Sequence, residues 1–194
     1  MNSQISSELE APVLKVIENR KSGRAYSNRR VEAEKIQSLF EAARWAPSSV
    51  NEQPWVYIYA TKEQPELWNK IFETLNPNNQ VWAKDADVLV LSLARKTYVR
   101  NGLVNNSAKY DLGAANAFLS LQAVELGLNV HQMGGFNPEK AYQSLNIPLE
   151  YETSVILAIG YPGDAATLPE NLKLREEAPR QRYTKGAFVY NQAF

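Results

Sequence analysis

The segment 108–128 constrains the fold more than any other part of the sequence, because it carries the strongest helix signal in the chain. Apolar residues recur along it at helical spacing, with few polar residues between them. They are Leu112, Ala115, Phe118, Leu119, Ala123 and Leu126. A helix this apolar needs cover on most of its surface, so we expect it to lie centrally in the molecule. Gly127 predicts the place where the helix ends.

Shorter elements are predicted on both sides of this helix. Helical spacing of apolar residues predicts further helices over residues 9–20, 32–45, 63–74 and 138–145. Apolar runs predict strands over residues 55–60, 87–94, 129–133 and 153–161. No strand–GxGxxG–helix unit occurs, which argues against a doubly wound dinucleotide-binding fold. The order predicts one α+β domain that spans residues 1–194.

Two stretches carry no clear periodicity. Residues 76–79, Asn-Pro-Asn-Asn, read as a turn cluster. Residues 162–194 contain three prolines, Pro162, Pro169 and Pro179, and end in aromatic residues. A long aromatic segment without a core of its own is expected to lie across another surface, and we expect that surface to belong to a partner subunit.

Composition excludes several classes of function. Lys plus Arg number 21 and Asp plus Glu number 21, so a net charge of zero argues against a general nucleic-acid binder. The absence of cysteine excludes a disulfide scaffold, a zinc thiolate site, an iron–sulfur cluster and a cysteine nucleophile, and His131 is the single histidine. No membrane span or signal peptide is evident, so we expect a cytoplasmic protein with no resident metal.

A basic loop, residues 20–24, offers groups that suit a phosphate. Guanidinium groups of Arg20 and Arg24 can form charge-assisted bidentate hydrogen bonds, and Lys21 and Ser22 add further donors. Such a run of charge is more often plain solvated surface, and on composition alone that interpretation stays open. Arg180 and Arg182 pose the same choice near the end of the chain.

Residues 46–54, the serine loop, are stiffened by proline and rich in polar side chains. Donors and acceptors of this kind suit the edges of a planar heterocycle. An ordinary helix–strand connection is the alternative. The residues concerned are Pro47, Ser48, Ser49 and Asn51.

A third segment, residues 131–136, lies at the end of the predicted strand 129–133. Gly134 and Gly135 would let the backbone approach a flat ligand and direct an N–H at it. A tight turn is the alternative. His131 is more often a packed or surface residue than a catalytic one.

Taken together, the order and spacing of these segments resemble the nitroreductase family of FMN enzymes, from about residue 17 to residue 183. The motifs are RKSGR at 20–24, APSSVNEQPW at 46–55, Asn79 followed by Trp82, YDLG at 110–113, MGGF at 133–136 and RQR at 180–182. The resemblance implies a nitroreductase-like α+β fold. Its central, mostly antiparallel sheet is flanked by helices, and its C-terminal extension wraps the partner subunit.

The same resemblance implies which residues bind FMN. The residues implied at the phosphate, the ribityl chain and the pyrimidine edge are Arg20, Lys21, Ser22, Arg24, Arg180 and Arg182. Lysine at position 21 keeps the charge but loses the planar fork of an arginine. Asn79 matches an asparagine near the pyrimidine end of the flavin.

The strand end is implied to lie along the flavin ring and to direct a backbone N–H towards N5. Its residues are Met133, Gly134 and Gly135. Some relatives carry an acidic residue at the position of Gly134, and we expect its absence to widen the substrate pocket or alter its charge. The serine loop is implied to cover the flavin of the other subunit. The resemblance therefore implies a homodimer with shared active sites.

The implied activity is electron transfer from NADPH or NADH to nitroaromatics, quinones or similar small oxidants by a ping-pong mechanism. The flavin carries the chemistry, while Arg24 and Gly135 tune it, so no catalytic side chain is required. Two alternatives remain at this point. One is a flavoprotein of the same fold that destroys its flavin or removes halogen from aromatic substrates. For halogen removal, residues 95–107 are the candidate lid over the substrate. The other is a binding module with no cofactor.

Overall fold

Helices precede the main sheet and then alternate with its strands. The computed structural model describes residues 5–193. The helices are α1 (Lys15–Asn19), α2 (Ala33–Arg44), α3 (Pro65–Phe72), α4 (Pro77–Ala83), α5 (Ala108–Glu125), α6 (Pro138–Leu145) and α7 (Glu170–Glu177). The strands are β1 (Ile5–Ser6), β2 (Trp55–Thr61), β3 (Val88–Arg95), β4 (Asn129–Met133), β5 (Tyr151–Gly160) and β6 (Arg182–Tyr183).

The main sheet has the strand order β2-β3-β5-β4, and all of its neighbouring strands are antiparallel. Residues 88–94 of β3 are buried, which explains their near-continuous apolar sequence, because a strand covered on both faces has no solvent side. The β3–β5 register shifts between Ser92 and Leu93. The predicted α+β class with a central antiparallel sheet is confirmed.

The sheet separates two apolar clusters, since successive residues of a strand point to opposite faces. Leu89 and Leu91 of β3 pack in a cluster with Trp82 of α4. Val88 and Val90 pack on the other side, in a cluster that includes residues of α2 and α5. Helices therefore cover both faces of the sheet, as predicted.

Helix α5 is covered on one face only, which corrects the expectation that it lies centrally. Leu112, Ala115 and Leu119 are fully buried against the sheet and α2. On the opposite face, Tyr110 is 82% exposed and Phe118 is 41% exposed. The outer face of α5 therefore presents exposed aromatic side chains. Within residues 5–193, no helix is long and apolar enough to cross a bilayer.

The first helix is shorter than predicted. Helical spacing indicated residues 9–20, but α1 begins at Lys15. Pro12 disfavours helical backbone in the residue before it, and Leu9 and Val13 are exposed, so packing does not offset that preference.

Two segments expected to be irregular are regular in part. The turn cluster 76–79 begins α4, with Pro77 at a first-turn position where its missing N–H costs no hydrogen bond. Within residues 162–193 the chain forms α7 and then β6, which pairs with β1. This part of the C-terminal segment folds on its own chain.

Candidate functional site

The basic loop follows α1 and lies against β4. The Tyr26 hydroxyl donates to the carbonyl of Ala158 at 2.9 Å and lies 3.3 Å from the carbonyl of Gly23. A Cβ on Gly23 would stand 2.5 Å from Nδ2 of Asn129, so a larger residue here would displace the Asn129 side chain. The loop is thereby fixed at the edge of the sheet.

A cavity of about 850 Å³ opens beside the basic loop, and we call it the arginine cavity. Its lining includes Arg20, Lys21, Ser22, Arg180 and Arg182, five of the residues singled out from the sequence. Burial, with the nearby charges of Arg180 and Arg182, lowers the pKa of the Arg20 guanidinium. Like charges held this close in a partly desolvated site favour binding of an anion.

The C-terminal segment of the same chain lines one side of this cavity. Arg180 donates to the carbonyl of Glu18 at 2.7 Å and to the carbonyl of Arg20, at the end of α1. Arg182 is exposed on β6. The structure thus brings both late arginines to the basic loop, while part of the Arg180 guanidinium binds backbone.

Sequence reasoning missed Glu176 of α7. Its carboxylate accepts the backbone N–H of Arg24 at 2.8 Å and lies 3.5 Å from the ammonium group of Lys21. The surrounding helix is polar and has no apolar stripe, so its sequence gave no signal of this contact.

Arg24 lies beyond the arginine cavity, over an aromatic pair. Its guanidinium carbon is 5.9 Å from the centre of the Trp82 ring, which lies 4.5 Å from the ring of His131. Within residues 5–193 the Arg24 guanidinium makes no hydrogen bond or salt bridge. Its five donors are therefore available to a ligand.

The strand end after β4 meets α4. Gly135 accepts at its carbonyl from Nδ2 of Asn79 at 2.9 Å and from the backbone N–H of Asn76 at 3.0 Å. Its own N–H donates to no other residue in the described range 5–193. Met133 is buried in the core, whereas Gly134 is exposed and a Cβ on it would meet nothing within 4 Å.

The serine loop lies apart from these groups within one chain. Its Ser49 N–H donates to Asp111 of α5 at 3.1 Å, and the Gln53 N–H donates to Oγ of Ser48 at 3.0 Å. Val50, Asn51 and Gln53 all have positive φ, a strained backbone for residues with side chains. Among residues 5–193, no hydrogen bond or ion pair joins this loop to the basic loop.

Residues 95–107 form an ordered hairpin-like loop. Thr97 pairs with Val104, and the N–H of Val99 donates to the carboxylate of Glu52 in the serine loop at 2.5 Å. The loop exposes Val99, Leu103 and Val104. Its suggested role as a lid stays a prediction.

His131 is expected to make the stability of the protein depend on pH. Its Nδ1 lies 3.3 Å from the carbonyl of Gly23, and burial, followed by the charge of Arg24, lowers its pKa from 6.5 to about 4. The folded state therefore binds fewer protons than the unfolded state between these values. We expect the free energy of unfolding to fall by up to about 3 kcal/mol as the pH falls from 6.5 to 4.

Urea unfolding across this pH range, compared with His131→Phe, measures that contribution. Phenylalanine keeps an aromatic ring beside Trp82 but does not titrate. The variant should lose less stability than the wild type over the interval, because the carboxylates are common to both proteins. Parallel stability curves would contradict the assignment.

Comparison with known proteins shows to which family the chain belongs. The nitroreductase family model matches residues 17–161. A crystal structure of an oxidoreductase containing FMN is 32% identical, with a TM-score of 0.91 over 96% of this chain and 95% of that one. The FMN reductase [NAD(P)H] of Bacillus subtilis (strain 168) is 28% identical over an alignment of length 189, which covers 89% of this chain and 74% of the relative. The Major NAD(P)H-flavin oxidoreductase of Aliivibrio fischeri is 26% identical over an alignment of length 210, which covers 86% of this chain and 96% of the relative. The chain belongs to the nitroreductase family.

Proposed function

We propose that the chain is one FMN-binding domain over residues 1–194 and works as an oxidoreductase. It passes electrons from NADPH or NADH to small aromatic oxidants such as nitroaromatics and quinones. The observation that carries this proposal is the arginine cavity, where Arg20, Arg180 and Arg182 converge so closely that burial and their mutual repulsion lower the pKa of Arg20.

The residues present fit FMN. The phosphate would be held in the arginine cavity by Arg20, Ser22 and Arg182. FMN when bound supplies the redox chemistry, taking a hydride from the nicotinamide and returning electrons to the oxidant. This division of labour suits a protein with no cysteine and a single histidine.

Arg24 and Gly135 are the groups of this chain that tune the cofactor. The free guanidinium of Arg24 would hold negative charge that develops at the pyrimidine edge, because a fixed cation stabilises charge most where water is excluded. The free N–H of Gly135 would orient the ring as a hydrogen-bond donor. Asn79 fixes the carbonyl of that same glycine and so positions its N–H.

The relatives support the same activity. The 32% identical structure is described as containing FMN, and the Bacillus subtilis relative is named for FMN reduction with NAD(P)H. A donor and an oxidant that use one stacking face in turn would give ping-pong kinetics.

We further propose a homodimer with shared active sites. In it, Pro47, Ser48, Ser49 and Asn51 cover the flavin of the partner subunit. Two observations support it: the serine loop stands apart from the arginine cavity within one chain, and α5 exposes Tyr110 and Phe118 on its outer face. An apolar face of this kind is stabilised by a second copy packed against it. Residues 184–193, which are largely exposed, would extend onto that copy.

The double variant Tyr110→Glu/Phe118→Glu tests the dimer. Four carboxylates in one symmetric interface should shift the protein to monomer, because buried unpaired charge costs several kcal/mol. Sedimentation velocity measures the mass, and absorbance at 450 nm measures retained flavin, which should fall together with the mass. Leu149→Glu, a change at a 79% exposed residue outside α5, is the control and should leave both unchanged. A double variant that stays dimeric would contradict this face as the interface.

A visible absorption spectrum of the purified protein tests the activity first. We expect a flavin spectrum, release of FMN on denaturation and bleaching by NADPH or NADH without oxygen. Initial rates with a nitroaromatic or a quinone should give parallel double-reciprocal lines. Colourless protein that FMN does not reconstitute would favour a binding module, and loss of the flavin itself during turnover would favour flavin-destroying chemistry.

A further inference from the structure

Residues 176–183 of the C-terminal segment contact the N-terminal part of the same chain at several points. Glu176 accepts the backbone N–H of Arg24, Arg180 donates to the carbonyl of Glu18, and β6 pairs with β1. Of these contacts, the one made by Glu176 reaches Arg24, the last residue of the basic loop. The Glu176 side chain is 7% exposed, whereas that of Lys21, its ion-pair partner, is 55% exposed.

The basic loop is held tightly between this carboxylate and β4. A Cβ on Gly23 would lie 3.1 Å from Oε1 of Glu176 on one side and 2.5 Å from Nδ2 of Asn129 on the other. One carboxylate oxygen binds the Arg24 N–H, and the other faces Lys21. Glu176 thus fixes the backbone from which both cationic side chains extend.

The charge of Glu176 has the wrong sign for a phosphate site. It lines the arginine cavity, where a buried carboxylate repels a phosphate dianion. Considered as a charge alone, Glu176 should weaken FMN binding. A net favourable effect would have to come from the loop geometry that it imposes.

We propose that Glu176 is a positioning residue for FMN: it sets the backbone of residues 21–24 so that their side chains meet the cofactor, and this outweighs its repulsion of the phosphate. The inference rests on the proposed function, because FMN is the ligand whose binding it concerns. It assigns to α7 of the same chain a part in building the cofactor site.

The neighbouring Glu177 provides a matched control. It lines the same cavity and is exposed, and in the described part of the chain its side chain makes no hydrogen bond or ion pair. Glu177→Gln therefore removes one negative charge from the cavity without removing a loop contact. Glu176→Gln removes the same charge but keeps an amide oxygen that can accept the Arg24 N–H. Glu176→Ala removes both the charge and the acceptor.

Fluorescence titration of the flavin-free protein with FMN measures the dissociation constant of each variant. We expect Glu176→Ala to raise it by about tenfold or more, since a hydrogen bond to a charged group contributes about that factor. Glu176→Gln should recover most of the affinity, and Glu177→Gln should leave it unchanged or tighten it. If the far-UV circular dichroism of Glu176→Ala departs from the wild type, Glu176→Met fills the volume without an acceptor and should show the same rise.

Two results would overturn the inference. One is FMN affinity in the folded Glu176→Ala or Glu176→Met protein equal to or tighter than that of the wild type. The other is a dissociation constant for FMN that changes equally in Glu176→Gln and Glu177→Gln and is the same in Glu176→Gln and Glu176→Ala. Failure of the wild type itself to bind FMN would instead refute the proposed function, so the two failures are distinguishable.

Discussion

Replacing Arg24 by alanine should raise the dissociation constant for FMN by about 10- to 100-fold, as expected for losing one or two charge-assisted hydrogen bonds. The side chain is partly buried over Trp82 and makes no hydrogen bond or salt bridge within residues 5–193. Its backbone N–H is held by Glu176, and alanine retains that bond. The substitution therefore removes the guanidinium that we propose to face FMN while it leaves the loop in place.

The same variant should also slow reduction of the bound flavin. A cation at the pyrimidine edge stabilises the negative charge of the reduced form, so its loss raises the barrier to hydride arrival. Stopped-flow bleaching at 450 nm with NADPH or NADH, without oxygen, measures the rate. Arg24→Lys keeps the charge without the planar fork and should fall between the wild type and Arg24→Ala.

Lys70→Ala is the control for a lost positive charge. Lys70 is exposed on α3, outside the arginine cavity, and neither FMN affinity nor the reduction rate should change. If Arg24→Ala matched Lys70→Ala in both measurements, the role assigned to Arg24 would be wrong.

Much of the fold could be predicted because local sequence pattern and burial agree. The predicted strand 129–133 and helix 138–145 coincide with β4 and α6, and the predicted strand 87–94 is shifted from β3 by one residue. Each has a clear apolar run or stripe with turn residues at its ends. Where that agreement exists, periodicity alone locates an element.

Elements that depend on distant contacts could not be predicted. Helix α7 has no apolar stripe, and its contact with the basic loop joins Glu176 to a residue 152 positions away. Helix α4 starts inside a cluster of turn residues, and burial of Trp82 and Ala83 favours the helix there. The apolar residues of α5 predicted burial on most of its surface, but its own chain leaves Tyr110 and Phe118 exposed.

The candidate site also has some features that the sequence predicts and others that it does not. Phosphate-binding residue types were evident from residues 20–24 and 180–182. The structure gathers most of them at one cavity, while Arg24 lies beyond it. The contact between the Trp82 and His131 rings and the acceptor role of Glu176 arise from tertiary packing and left no sequence signal. The serine loop stays a prediction, since its proposed contacts belong to a second copy of the chain.

Gly163→Ala should lower the free energy of unfolding by about 3 kcal/mol, which corresponds to a fall in Tm of about 6–12 °C for a chain of this size. A Cβ on Gly163 would stand 2.4 Å from the carbonyl carbon and 2.5 Å from the carbonyl oxygen of Tyr26. Both are backbone atoms, so no side chain can rotate to relieve the clash. By contrast, a Cβ on Gly135 would meet side-chain amides, which can move.

The clash should also weaken the cofactor site, because the affected backbone leads directly from the basic loop. Gly163 donates its N–H to the carbonyl of Ala25, the residue after Arg24. Separation of the two segments would lose this bond and shift the loop. FMN affinity and thermal stability should therefore fall together in this variant.

Differential scanning fluorimetry with and without FMN measures both effects. Gly186→Ala is the control, since a Cβ there meets nothing within 4 Å. Binding raises Tm in proportion to the logarithm of ligand concentration over the dissociation constant, so added FMN should raise Tm less in Gly163→Ala than in Gly186→Ala. A lower Tm with an undiminished response to FMN would mean that the segment at Tyr26 can move without disturbing the basic loop, and the proposed link between fold and site would then fail at this point.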